Sequence, residues 1–177
     1  MRGRAVVVGG STGDRARTLG GVTTIEIPVQ LRWSDMDAYA HVNNVEMLRL
    51  LEEARIEAFW RHPEADGVVG RPTAILDATP GASTATLVAH QEIEYLAPLT
   101  YRRQPVTVRL WLGRLGGASL EIHYEVTDAS GTVYARAITT MVLVDAASGR
   151  PRRIGPDERA VWEPFVDEPV AMRRRAR

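Results

Sequence analysis

The residues best able to do chemistry fall in one run, R-W-S-D-M-D-A-Y-A-H-V-N-N at 32–44, which holds Asp35, Asp37, His41, Asn43 and Asn44. A carboxylate can attack a carbonyl or activate water, and a histidine can orient either. Asn43 followed by Glu46 has capping-box spacing, with Asn in place of the usual Ser or Thr, so Asn43 is expected at a helix cap and Asn44 as the first helical residue. The backbone N–H groups of Asn44, Val45 and Glu46 would then lack intrahelical partners and face outward at the positive end of the helix dipole, a ready oxyanion or anion site. Near that terminus the dipole favours an ionised Asp37, so Asp37 either attacks, activates water or merely caps a turn. His41 either orients the carboxylate or water, or holds the turn by a structural hydrogen bond. Asn43 is better explained as a cap than as a ligand.

Two elements must position this run. Ile25, Ile27, Val29, Leu31 and Trp33 alternate with Glu26, Pro28, Gln30 and Arg32, which predicts a strand entering the site. Asp35 alternates with Asp37, so an extended chain would place both carboxylates on one face; a turn or salt-bridge role for Asp35, with Arg32 as candidate partner, is favoured over catalysis. Met47, Leu48, Leu51, Ala54, Ala58 and Phe59 recur at three- and four-residue steps against Glu46, Arg49, Glu52, Glu53 and Glu57, predicting an amphipathic helix that Arg61, His62 and Pro63 end.

Composition narrows the class. The chain has 177 residues, 45% of them hydrophobic, and equal counts of basic and acidic residues at 22 each. Every base is Arg, and the zero net charge favours neither nucleic acid nor an anionic membrane. Without cysteine there is no disulfide, thiolate nucleophile or cysteine zinc site. No apolar run reaches membrane-spanning length, and the expected location is the cytoplasm.

Residues 1–21, with six glycines and little periodicity, are expected to be a flexible leader outside the fold. Their G-G-S-T-G at 9–13 lacks the Lys and following helix of a phosphate loop. After the helix come a Gly-rich loop at 66–72 and a short strand at 73–79. Thr84 to Leu96 alternates through Leu87, Ala89, Ile93 and Tyr95; Val106 to Leu112 makes a further strand; Gly116-Gly117 and 128–131 mark hairpins into Leu120–Val126 and Val133–Val144. The order is strand, helix, then four or five strands, an α+β layout.

That order, with D-x-D-x-x-x-H-V-N-N at the junction and L-E-E-A-R in the helix, resembles the hotdog-fold acyl-CoA thioesterases of the 4-hydroxybenzoyl-CoA thioesterase-like group. The resemblance spans roughly 22–146, with Glu94, Tyr95, Leu96, Pro98 and Leu99 a weaker second match, and leaves 147–177 as a C-terminal extension. It implies one long central helix wrapped by a curved antiparallel sheet, Asp37 as the catalytic carboxylate, the helix amide near Asn44 as the group that polarises the thioester carbonyl, and a homodimer or homotetramer with sites between subunits. The substrate it implies is an acyl-CoA or acyl-carrier-protein thioester, with no cofactor. Ala40 stands where the family usually has Gly, and Met47 where it has Tyr. Thioester hydrolysis suits the residues too, because a thiol of pKa about 8.5 leaves without a strong general acid. The alternatives are a hydratase or dehydratase of acyl thioesters and a non-catalytic acyl-CoA binder.

His62, His90 and His123 are scattered and make no metal spacing, and a metal at Asp35, Asp37 and His41 is disfavoured by the helix dipole. Coenzyme A phosphates would be met by Arg102 and Arg103, or by Arg150, Arg152 and Arg153, unless these are simply solvated loop charges. A short helix is expected near 156–166, and a basic tail at 173–177.

Overall fold

The computed structural model describes residues 17–19, 22–61 and 71–173, and within them six strands and two helices largely follow the expected order. The strands are β1 (Arg17–Leu19), β2 (Val22–Val29), β3 (Thr84–Tyr95), β4 (Val106–Leu115), β5 (Ser119–Thr127) and β6 (Val133–Asp145); the helices are α1 (Asn44–Phe59) and α2 (Pro156–Trp162). One antiparallel sheet results, in the order β1-β2-β4-β5-β6-β3, an α+β architecture. Hairpins join β4 to β5 and β5 to β6, whereas β3 crosses to the far edge and pairs with β6 from Thr84↔Asp145 to Tyr95↔Ala135.

The core lies between α1 and one face of the sheet. Met47, Leu50, Leu51, Ala54, Ala58 and Phe59 of α1 are buried against Ile25, Ile27 and Val29 of β2 and the inward residues of β4, β5 and β6. Each large side chain so buried contributes about 2 kcal/mol of transfer free energy. The helix lies mainly against β2 and β4, leaving the β3 edge of the sheet uncovered by it. Accordingly none of the residues of β3 is buried, although its alternation suggested a one-sided strand. Leu87 and Val88 are both exposed. The helix expected to be long is 16 residues, about 24 Å.

Other expectations need correction. The β2 alternation holds through Leu31 and fails at Trp33, which is 76% exposed, because Trp33–Asp35 coils into a 3₁₀ turn instead of continuing the strand. Residues 73–79 form no strand; they join the fold through one parallel bridge, Trp60↔Leu76. Arg17–Leu19, inside the expected leader, pairs with β2, while the G-G-S-T-G run, His62, Pro63 and residues 174–177 lie outside the described residues.

The segment beyond 146 packs into the core as well. Trp162 of α2 is wholly buried, packs edge-on against Phe59 at 6.3 Å and donates its indole N–H to the Thr73 carbonyl. A 3₁₀ turn at Glu163–Phe165 follows, and the chain then runs as a strap over the outer face of the sheet. There Asp167 N–H bonds Leu112 O, the Trp111 indole N–H bonds Glu168 O, and the Arg173 amide reaches the Glu94 carboxylate.

Candidate active site

Cross-links between two loops and the start of α1 build one corner. Met36 pairs with Val42 and His41 with Thr100 as isolated antiparallel bridges, and Val42 N–H donates to Leu99 O at 2.7 Å. Between them the chain reverses over 37–41, with Asp37 N–H bonded to His41 O at 2.8 Å and Ala40 N–H to Asp37 O at 3.1 Å. Closing this turn puts Ala40 at φ +60°, a left-handed conformation that favours glycine.

The two carboxylates do not share a face. Asp35 is 2% exposed, receives the Arg32 backbone N–H and the Arg49 guanidinium, each at 2.7 Å, and offers its own carbonyl to Asn43 N–H at 2.8 Å. It is a structural anchor that registers the turn against α1. The partner suggested for it, Arg32, contributes only its amide; the Arg32 guanidinium points to Glu53 at 3.3 Å. Asp37 is half-buried. Its Oδ1 accepts N–H groups from Tyr39 at 2.8 Å and His41 at 3.2 Å, while Oδ2 has no hydrogen-bond partner among the described residues. One oxygen thus holds the turn and the other remains open.

The helix start matches the expected cap in part. Asn43 is the N-cap, but its side chain accepts Val45 N–H at 2.9 Å, not the amide of Glu46. Nor does Glu46 close a capping box, because Asn43 N–H already bonds Asp35 and the Glu46 carboxylate bonds Arg49 at 2.5 Å. The Asn44 amide has no hydrogen-bond partner among the described residues and lies at the positive end of the dipole. Asp37, His41, Asn44, Met47 and Tyr95 line one open groove with the 96–99 loop. The structure therefore brings Asp37, His41 and Asn44 together, with Asn43 behind them as a cap. His41 holds Asp37 through its backbone N–H, and its ring has no hydrogen-bond partner among the described residues.

Tyr95 is the groove residue that sequence reasoning left out of the site. Its hydroxyl donates to the Asn44 carbonyl at 3.1 Å, tying the end of β3 to the start of α1. Partial burial pushes its phenol above the ordinary value. The E-Y-L-x-P-L run at 94–99 carried a signal for this, but nothing in it pointed at the helix.

The arginines also sort themselves. Arg102 is committed within the fold: it bonds Asp128 at 2.5 Å and the Tyr134 hydroxyl at 2.8 Å, and lies over the Tyr134 ring. Hydrogen bonds from Ser130, Tyr134 and Arg102 hold the Asp128 carboxyl well below its usual range. Arg152 is likewise engaged, with Glu158 and Thr84. The Arg103 guanidinium, by contrast, is exposed and has no partner among the described residues. Among those residues no three His, Asp or Glu side chains gather as a metal site.

With this geometry in place, residues 31–169 match the model of the thioesterase-like superfamily. The chain belongs to that superfamily. The match runs past 146 and takes in α2 and the first half of the strap, in accord with their place in the fold. The PA2801 protein of Pseudomonas aeruginosa, itself a thioesterase by proposal, is similar in structure with a TM-score of 0.60 and 31% identity, over 77% of this chain and 95% of that one. A Thermus thermophilus thioesterase solved with coenzyme A and zinc is similar at a TM-score of 0.62 and 26% identity, over 86% and 100% of the two chains. The uncharacterised YsmA protein of Bacillus subtilis (strain 168) is 27% identical over 123 residues, 69% of this chain and 74% of that protein. This superfamily member thus carries its open carboxylate oxygen and its open helix amide on one groove.

Proposed function

We propose that this superfamily member hydrolyses an acyl-CoA thioester to the free acid and coenzyme A, using Asp37 and the amide of Asn44. The observation that carries the reading is the pairing, on one groove, of the Asp37 Oδ2 and the Asn44 N–H, neither of which has a partner among the described residues. A thioester carbonyl oxygen accepting the Asn44 N–H would be polarised, and the charge developing on it would be stabilised by the helix dipole. Asp37 Oδ2 then acts in one of two ways. As a base it takes a proton from water while the water oxygen attacks the carbonyl; as a nucleophile it forms an acyl anhydride that water cleaves. In both routes the C–S bond breaks, sulfur leaves as thiolate and is protonated, and one water is consumed. Similarity to a protein solved with coenzyme A supports the CoA thioester as the substrate class. A carrier-protein thioester would be cleaved by the same chemistry.

A second copy of the chain belongs to this reading. β3 is a sheet edge of twelve residues without a buried side chain and carries exposed Leu87 and Val88, while Val45 and Ile56 of α1 are exposed as well. An unpaired edge beside apolar surface is stabilised by pairing with another chain, here as a homodimer or a dimer of dimers. A cytoplasmic location, expected from composition, belongs to the same proposal.

Release of free thiol from a panel of acyl-CoAs tests the activity, since hydration or simple binding yields none. No thiol from any acyl-CoA or acyl-carrier-protein thioester would overturn it. A stable monomer at micromolar concentration by light scattering would overturn the pairing.

A further inference from the structure

The Asn44 amide can act on a carbonyl only if its direction is held, and the first turn of a helix is held least by local rules, because its N–H groups lack intrahelical partners. Both peptide planes that meet at Asn44 are nevertheless pinned. The plane that carries the Asn44 N–H is fixed through its carbonyl, since Asn43 O accepts Met47 N–H at 2.9 Å. The next plane is fixed through both of its polar groups: Val45 N–H donates to Asn43 Oδ1 at 2.9 Å, and Asn44 O accepts the Tyr95 hydroxyl at 3.1 Å. Two of these three bonds close within 43–47, whereas the third comes from the end of β3, 51 positions away. That strand end is itself firm. Tyr95 pairs with Ala135 of β6, and Leu96 N–H and Ala97 N–H both donate to Tyr134 O, at 2.8 and 3.3 Å.

Peptide planes are rigid, so holding the two that flank Asn44 sets its φ and ψ, and with them the direction of its N–H, before any substrate arrives. A donor aimed in advance stabilises developing charge without having to reorganise during the reaction. Tyr95 lines the same groove as Asp37, His41 and Asn44, yet its side chain is 45% exposed, so the hydroxyl bond rather than core packing is what it brings to this corner. We infer that Tyr95 is a positioning residue for thioester cleavage: its hydroxyl ties the first turn of α1 to β3 and so keeps the Asn44 N–H in one direction on the Asp37 groove. The inference rests on the thioesterase reading and adds to it a residue that acts through Asn44 and need not touch the reacting atoms.

Tyr95→Phe tests this, since it removes the hydroxyl and keeps the ring. Its kcat for acyl-CoA hydrolysis is expected to fall about tenfold with KM close to the wild-type value, because an aimed donor acts on charge that develops only in the transition state. Backbone order parameters from NMR supply a reading that a contribution to stability alone would not move. They are expected to drop at Asn44 and Val45 in Tyr95→Phe and to stay at wild-type values further along α1, as at Leu51. Wild-type kcat in Tyr95→Phe overturns the inference while the thioesterase reading stands, and a loss confined to KM overturns it too, by assigning the hydroxyl to ground-state binding. A lowered unfolding midpoint with wild-type order at Asn44 makes the bond structural only and overturns it as well. If the wild-type protein itself releases no thiol from any thioester, the thioesterase reading fails and takes the inference with it.

Discussion

The corner at 35–44 and the outer face of the sheet beneath the C-terminal strap each combine a histidine, an acid and aromatic rings, and they treat them in opposite ways. Under the strap, His123 is wholly buried: Nδ1 accepts Val170 N–H at 3.0 Å, Nε2 faces Glu121 Oε1 at 3.1 Å, and the ring stacks on Trp111 at 5.9 Å. With Nδ1 accepting, Nε2 carries the proton and donates it to Glu121. Every polar position of that imidazole is used. At the corner, the His41 ring, Asp37 Oδ2 and the Asn44 N–H have no partner among the described residues. Identical residue types become structural where the fold completes their hydrogen bonds, and available for chemistry where it leaves them open.

The largest expected effect separates the two histidines. His123→Ala opens a buried cavity and strips the Val170 amide of its acceptor, and is expected to cost about 3 kcal/mol of stability by denaturant unfolding. His41→Ala, on a half-exposed ring, should shift stability by under about 0.5 kcal/mol. Equal losses would erase the comparison. Next comes Asp37→Asn, expected to lower kcat by at least about 10²-fold, roughly 2.7 kcal/mol of barrier, with KM and the unfolding midpoint little changed. His41→Ala should fall well short of that loss; wild-type turnover in Asp37→Asn would place the chemistry elsewhere.

Two smaller changes sharpen the contrast between close packing and local strain. A Cβ added at Gly113 would lie 1.9 Å from His123 Nε2, so Gly113→Ala is expected to cost about 2 kcal/mol and to loosen the strap, visible as faster proteolysis near residue 170. An unchanged midpoint would mean that the His123 ring can yield. At the corner the sign reverses. Ala40→Gly relieves a left-handed alanine and is expected to raise stability by up to about 1 kcal/mol, less the entropy that glycine brings to the unfolded chain. A clear loss of stability would show that the alanine methyl contributes packing at the turn.

Much of the corner was legible before folding. Asn43 as cap, Asn44 as first helical residue and the apolar stripe of α1 follow from local rules of capping and periodicity, which act within a turn or two of the chain. The β4-β5-β6 meander was legible because its hairpins carry their own turn residues. The separation of Asp35 from Asp37 was not. It depends on Arg49, fourteen positions away from Asp35, and on the 3₁₀ turn that ends the alternation. The partners of Tyr95 and Arg102 were not legible for the same reason, since Asn44, Asp128 and Tyr134 are distant in sequence.

By itself, then, the sequence determined the α+β element order, the helix cap and the single run in which carboxylates, histidine and helix amides could meet, because short-range sterics and hydrogen bonding dictate these. The tertiary structure alone decided which carboxylate is buried and paired, which arginines are committed within the fold, that residues beyond 146 complete the core, and that Tyr95 shares a groove with Asp37. Those outcomes turn on whether a polar group or a ring finds a partner across the fold, and that choice belongs to packing between distant segments rather than to any stretch of chain.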